Sequence, residues 1–287
     1  MSESNKRNFI VHGSILAIAG ILVRIIGMLY RIPVVNIIGS EGNGIYGAAF
    51  NIYNIMLVLS SYGLPMAVSK LVSARFTKRR YKSAAKVLRC SLMVAVCTGG
   101  IAALLVFFGA SFIENVIYGG GLPGLAIPLR ILAPTIFLVA ILGVIRGFFQ
   151  GQSTMIPTAV SQILEQIVNA IVSIAAGYGM MKAFASSPDV AAYGAAGSTL
   201  GTAMGALTAV LFMGFLYAVY TPTFNRLKRK DRHTENQSTG QICKIIIYTM
   251  IPIILGQTFY QISALLDDVL FSKIMVVRGA SANITSC

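Results

Sequence analysis

Arg24 and Glu165 are the side chains of this chain with the most chemistry to offer, because each sits inside a long apolar run. An ionisable group at mid-membrane costs about 2.5–3.5 kcal/mol on insertion scales, so such a group faces a cavity, a partner or a ligand. Arg24 stands at steps of three and four residues from Gly13, Ala17, Gly20, Gly27 and Arg31. That spacing lines one side of a helix and makes it small-residued and cationic. Two outcomes are open for this face: its glycines pack against a neighbouring helix while Arg31 snorkels to the interface, or Arg24 and Arg31 line a cavity that receives an anion.

Glu165 shares a face with Gln162, Asn169 and Ser173. About 13 Å along a helix starting near residue 156, it must be protonated or paired with a cation. Arg146, near the end of the preceding apolar run, is the expected partner, as a structural ion pair or as part of a site coupled to protons or substrate. A third stripe carries Asn51, Asn54, Ser61 and Pro65, where interhelical hydrogen bonds account for the amides as well as a polar lining does. A fourth carries Gln257, Gln261, Ala264 and Asp268, with Asp267 beside it, and its carboxylates are expected at the membrane interface.

Other chemistries find little support. Gly42–Gly47 reads GNGIYG, a literal GxGxxG, but no strand pattern precedes it, as a dinucleotide fold requires. No GxxxxGK[ST] motif occurs, Cys90, Cys97, Cys243 and Cys287 form no CxxC pair, and neither a disulfide framework, a metal nor a cofactor is expected. A membrane-embedded transferase would place a carboxylate or Lys/His cluster at the interface. The connections offer only Asp231, His233 and Glu235 in a polar stretch, so no enzyme is expected.

The elements that must position these residues are membrane helices. With 56% hydrophobic and 11% charged residues, 287 residues cannot coat a soluble globule. Each span needs roughly 20 apolar residues, and candidate spans lie near 9–32, 45–69, 88–109, 125–148, 156–181, 193–219 and 243–272. The first is expected to be retained as a helix, because it lacks a clean cleavage site. Cytoplasmic connections keep Lys and Arg. An N-terminus inside puts 16 of the 23 basic residues in the cytoplasm and three outside, mostly through Ala74–Arg89 and Thr221–Gln241. The net charge of +14 therefore meets anionic headgroups, not nucleic acid. Outer connections such as GSEGNG from Gly39 and YGGGLPG from Tyr118 read as tight turns. Gly194, Gly197, Gly201 and Gly205 form a ridge that lets backbones approach closely, and Pro65, Pro128, Pro134 and Pro252 are expected to bend helices.

Two runs carry a family resemblance. GSEGNGIYGAAFNIYNIMLVLSSYGLPMAVSKLVS (Gly39 to Ser73) and RGFFQGQSTMIPTAVSQILEQIVN (Arg146 to Asn169), with RIIGMLYRIP in the first helix, resemble the stage V sporulation protein B and polysaccharide transporter family. That family lies in the multidrug/oligosaccharidyl-lipid/polysaccharide exporter superfamily, with the MurJ-like lipid II flippases. The resemblance covers about residues 8–272. It implies an all-α polytopic protein of the bacterial cytoplasmic membrane, with two six-helix lobes around a cavity that opens alternately to each side. It implies an undecaprenyl-pyrophosphate-linked sugar as substrate, with Arg24 attracting the pyrophosphate, and a membrane potential or ion gradient as the drive. The expected organisation is a six-helix lobe over 1–225, a cytoplasmic linker over 226–241 and the start of a second lobe over 242–287. A lone lobe cannot enclose a two-sided cavity, so the chain is expected to be a fragment or to be completed by a second lobe or chain. An ion-coupled multidrug exporter and a non-transporting scaffold are the alternatives.

Overall fold

The computed structural model describes the backbone of residues 3–232 and 238–277, with side chains from Ser14 to Arg232, from Ser238 to Phe259, and at part of the positions beyond. The side chains of Lys6, Arg7, Gly13, Gln261, Ala264, Asp268 and Lys273, the residues His233 and Glu235, and the tail from Arg278 to Cys287 lie outside the described residues. Every regular element among the described residues is helical: α1 (Glu3–Ser60), α2 (Leu64–Thr77), α3 (Tyr81–Phe112), α4 (Ala126–Gly151), α5 (Ile156–Ala183), α6 (Val190–Lys230) and α7 (Thr239–Val277). A short π-helical turn, Ile113–Ile117, closes α3.

Among the described residues six helical segments are long and apolar enough to cross a membrane, the first being Ser14–Thr77 with 64 residues. At 1.5 Å per residue that segment would run about 96 Å, some three times the thickness of a bilayer core. It folds back instead. Gly39 has φ 71° and ψ −178°, a conformation essentially confined to glycine. Beyond it the Arg31 guanidinium carbon comes within 6.0 Å of the Tyr46 ring centroid, whereas fifteen residues of unbroken helix would hold them about 22 Å apart. The segment thus supplies two antiparallel arms and accounts for two of the seven expected spans. The rest of GSEGNG is helical, so the expected turn narrows to Gly39, and GNGIYG is helical throughout. The expected YGGGLPG turn is present, with Gly119, Gly120 and Gly124 at positive φ.

Three expectations are corrected. The second span does not run unbroken to residue 69. Ser61–Gly63 form a turn before α2, where the freed Ser60 carbonyl accepts a hydrogen bond from Thr98 Oγ1 at 2.9 Å. The polar stretch Ala74–Arg89 is helical on both sides of a break at Lys78–Arg80, and Arg75 Nε donates to Ser83 Oγ at 2.8 Å across it. The stretch Thr221–Gln241, expected as a loop with a linker from 226, stays helical to Lys230. Phe224 holds that extension in place: it is buried, stacks on Phe76 at 6.1 Å and meets Phe148 edge-on at 5.3 Å. Asp231 then accepts a hydrogen bond from the Lys82 backbone N–H at 2.8 Å, tying the end of α6 to the start of α3.

The core is layered along the bundle. One cluster gathers at the end holding the α1 turn and the α3–α4 connection, around Ile38, Ile45, Tyr118, Leu125 and Ala192. The other gathers at the basic end, around Leu64, Val87, Phe148, Phe224 and Ile242. Ile242, Ile246 and Met250 place the first turns of α7 in this second cluster, against the same helices that precede the connection.

Backbone proximity inside the bundle rests on two glycine ridges. On α6 the expected ridge faces α5: a Cβ on Gly201 would lie 2.6 Å from the Asn169 carbonyl oxygen, and one on Gly205 2.6 Å from that of Glu165. The second ridge, Gly143, Gly147 and Gly151 on α4, went unread in the sequence and packs on α2, where a Cβ on Gly147 would lie 2.6 Å from the Pro65 carbonyl oxygen. Gly201→Leu and Gly147→Leu should each destabilise the protein by about 1–3 kcal/mol or more, because the obstacle is backbone. Gly214→Leu, with nothing within 4 Å of its Cβ position, should be near neutral. Melting temperatures in detergent check the difference.

Candidate functional site

The polar side chains converge where α5 is flanked by α1, α4 and α6. Arg146 Nη2 on α4 donates to Glu165 Oε2 on α5 at 2.7 Å, and its Nε donates to Ser161 Oγ at 2.9 Å. Ser161 Oγ in turn donates to the Thr158 carbonyl at 2.8 Å, so the serine accepts and donates at once. The pair is largely enclosed, with side chains 14% and 26% exposed. The buried Tyr53 hydroxyl, on the second arm of α1, lies within the field of the Glu165 carboxylate.

One turn further along α5, the buried Asn169 uses both ends of its amide. Nδ2 donates to the Tyr30 hydroxyl at 3.3 Å, and Oδ1 lies 2.9 Å from Ser173 Oγ and 3.4 Å from Thr202 Oγ1. A seam of polar groups thus runs up α5 and reaches the first arm of α1 through Tyr30, two α6 residues through Ser173 and Thr202, and α4 through Arg146. Tyr30 adjoins Tyr46, whose ring also receives the Arg31 guanidinium. Tyr46, Phe50 and Tyr53 stack in sequence along the second arm, with centroids 4.5 and 5.6 Å apart.

The cationic face of α1 is packed over one half and open over the other. Toward the Gly39 turn the face is packed: a Cβ on Gly27 would lie 3.2 Å from Gln166 Nε2, and Arg31 rests on Tyr46. Toward the N-terminus it is open, since nothing lies within 4 Å of the Gly20 Cβ position and Arg24 is exposed. Arg24 forms no ion pair among the described residues. Exposed Ile21, Leu22, Ile25 and Met28 surround it, so its charge lacks both water and a counter-ion wherever these residues meet lipid.

Asn51 and Asn54 are half-buried on the second arm, Asn51 engaged with a neighbour. Gln257 is half-buried on α7 and Asp267 exposed. Sequence reasoning anticipated the Arg146–Glu165 contact but missed Tyr30, Tyr46, Tyr53, Ser161 and Thr202. The signal that could have found the rings is the i, i+4, i+7 series Tyr46, Phe50, Tyr53. Among the described residues no three His, Cys, Asp or Glu side chains group to hold a metal.

A family model described as polysaccharide biosynthesis protein matches residues 10–281. The chain belongs to that family. Of its relatives, the lipid II flippase MurJ of Bacillus subtilis is 34% identical over 176 residues, covering 59% of this chain and 32% of its own length. Stage V sporulation protein B of the same organism is 30% identical over 210 residues, covering 72% of this chain and 39% of its own length. A MATE protein solved in a straight conformation superposes with a TM-score of 0.70 at 17% identity, over 88% of this chain and 53% of that one. This member of the family is therefore a multi-span helical membrane protein with a transporter fold, and one of its relatives is named a lipid II flippase. It spans well under half the length of the two Bacillus relatives.

Removing one member of an enclosed ion pair leaves the other uncompensated, at a cost of about 3–5 kcal/mol. Glu165→Gln and Arg146→Met alone should each lower stability toward that range, and the double variant should recover most of it. A double-mutant cycle on denaturation in detergent measures the coupling.

Proposed function

We propose that this chain is the N-terminal part of a flippase that carries an undecaprenyl-pyrophosphate-linked oligosaccharide, of the lipid II class, across the bacterial cytoplasmic membrane by alternating access. The observation that carries the reading is the open half of the α1 face. Arg24 stands there with no counter-ion among the described residues, in apolar surroundings, about one turn from Gly27, whose Cβ position meets Gln166 of α5, and the carboxylate of α5 is already neutralised by Arg146. A guanidinium in that position favours a ligand that brings its own negative charge, and its fork of N–H donors matches phosphate oxygens. Family membership supports a lipid-linked saccharide as the source of that phosphate.

In this reading Arg24 and Arg31 receive the pyrophosphate, half-buried Asn54 offers an amide hydrogen bond on the second arm, and Asn51 and Asn169, engaged with neighbours, hold the helices around it. Arg146 and Glu165 hold α4 and α5 in register around them. The lipid tail stays in the bilayer beside the exposed apolar side of α1. The N-terminus is cytoplasmic, the basic ends of α2, α3 and α6 lie against anionic headgroups, and a second lobe or chain encloses the far side of the cavity. The sugar serves peptidoglycan, spore-cortex or other polysaccharide synthesis. A charge crossing the full membrane field gains about 2.3 kcal/mol per 100 mV, enough to bias the cycle without nucleotide.

Vesicles reconstituted with the protein should translocate a lipid-linked sugar and leave a cationic dye in place. The opposite result would assign it to multidrug export. A hydrogen bond to a charged group contributes about 1.5–3 kcal/mol, so Arg24→Ala should slow lipid-linked sugar transport about 10- to 100-fold while inserting normally, with Arg24→Lys intermediate. Undiminished transport by Arg24→Ala would remove the basis of the proposal, and no transport of either substrate by the unaltered protein would favour a scaffold. For orientation, a cysteine replacing Arg79 should react with an impermeant maleimide only from the cytoplasmic side, and one replacing Gly120 only from the outside.

A further inference from the structure

Cys90 on α3 and Cys243 on α7 are far apart in the chain and meet in the fold. Both are free thiols, Cys90 buried and Cys243 half-buried. Cys90 Sγ donates to the Thr239 carbonyl at 3.9 Å. Cys243 lies one turn along α7 from Thr239 and packs against the cluster that contains Cys90, its thiol within hydrogen-bonding reach of the Cys90 sulfur. The contact is held from both sides: Ile242 and Ile246 are fully buried next to Cys243, and Val87, Ser91 and Val94 are buried on the α3 side.

Neither thiol belongs to the polar seam, and small apolar side chains would fill the same space. Cysteine differs from them in its redox chemistry. We propose that Cys90 and Cys243 form an oxidisable dithiol, a modification site whose disulfide clamps the start of α7 to α3. Its place in the fold gives the clamp a consequence. The connection 231–238 joins α6 to α7, and the Cys243 contact, beside Ile242 and Ile246, fastens the incoming turns of α7 to the preceding helices. A covalent bond there would stop α7 from parting from α3.

The oxidant is a peroxide. The Cys243 thiolate, nearer the surface, attacks one oxygen of hydrogen peroxide and becomes a sulfenic acid as hydroxide leaves and takes up a proton. The Cys90 sulfur, giving up its proton, then displaces hydroxide from the sulfenic sulfur and closes the S–S bond. Two thiols and one peroxide thus yield one disulfide and two waters, and a dithiol reductant reverses the change. The inference does not depend on the ligand that the transport site takes.

The test uses the full chain in membranes with Cys97→Ser and Cys287→Ser, so that only the proposed pair remains. It is treated with hydrogen peroxide, blocked with a maleimide under denaturing conditions, digested and weighed. Peptides containing residues 90 and 243 should appear joined within one chain, lighter by two hydrogens and separable with dithiothreitol, and maleimide uptake should fall from two to none. Adding Cys243→Ser should abolish the link. Alkylation of both thiols after peroxide, sulfinic acid at Cys243 without a link, or links only between chains would each overturn the proposal.

Discussion

A carboxylate enclosed by membrane helices has no water to solvate it, and the arrangement of α4, α5 and α6 follows from how Glu165 is accommodated. The Arg146 guanidinium meets it at 2.7 Å and uses a second nitrogen on Ser161, so one side chain of α4 is fixed to two turns of α5. Enclosed ion pairs add little net stability over apolar packing of similar shape, because desolvation offsets most of the attraction. Their energy is steep in position, however. A slip of one residue between α4 and α5 would leave two charges unpaired in a medium that tolerates neither, so the pair sets register where the hydrocarbon surround does not.

Close approach is supplied by different residues. Between membrane helices no water is released on contact, and association rests on packing and interhelical hydrogen bonds. The α6 ridge brings Gly201 and Gly205 onto the α5 backbone beside Asn169 and Glu165, two of the polar residues of α5 that reach other helices. The absence of side chains on α6 is therefore what gives the amide and carboxylate of α5 their fixed positions. On the other side of α4, Gly143, Gly147 and Gly151 seat α2 in the same way, and Arg146, adjacent to Gly147, is directed to α5 while its neighbour faces α2.

The spans, the α6 ridge and the pairing of Glu165 were legible in the sequence because each rests on local rules: run length, four-residue spacing, and the need of a buried carboxylate for a cation. The misreadings share one cause. Thr221–Lys230 reads as a connection by composition, yet it holds no residue that stops a helix after Pro222, and Phe224 finds an aromatic cluster supplied by Phe76 and Phe148 from other helices. Polarity marks the edge of the hydrocarbon, not the end of the helix. The α4 ridge was hidden by Arg146 and the phenylalanines interleaved with it. Nothing in the sequence marks Tyr30 or Tyr46, because a phenol declares its polar function only through the partner it meets. A helical wheel of α1 likewise places Gly20, Arg24, Gly27 and Arg31 on one side, but which of them has a neighbour depends on where α5 and the second arm pass.

Charge along the seam narrows what can occupy its open side. Arg146 and Glu165 offset each other, and among the described residues neither Arg24 nor Arg31 pairs with a carboxylate, which leaves two positive charges on the α1 face uncompensated. Arg31 gains partial relief from the Tyr46 ring, whose face attracts cations by about 0.5–2 kcal/mol. Arg24 has no such relief among the described residues. A cationic ligand would add to this excess, and a neutral one would leave it in place. A ligand with about two negative charges would bring the α1 face to neutrality, and the guanidinium fork matches phosphate oxygens. This counting is independent of any relative's name, and it is why the reading rests on the open half of α1 and not on the enclosed pair, whose charges are already spent on each other.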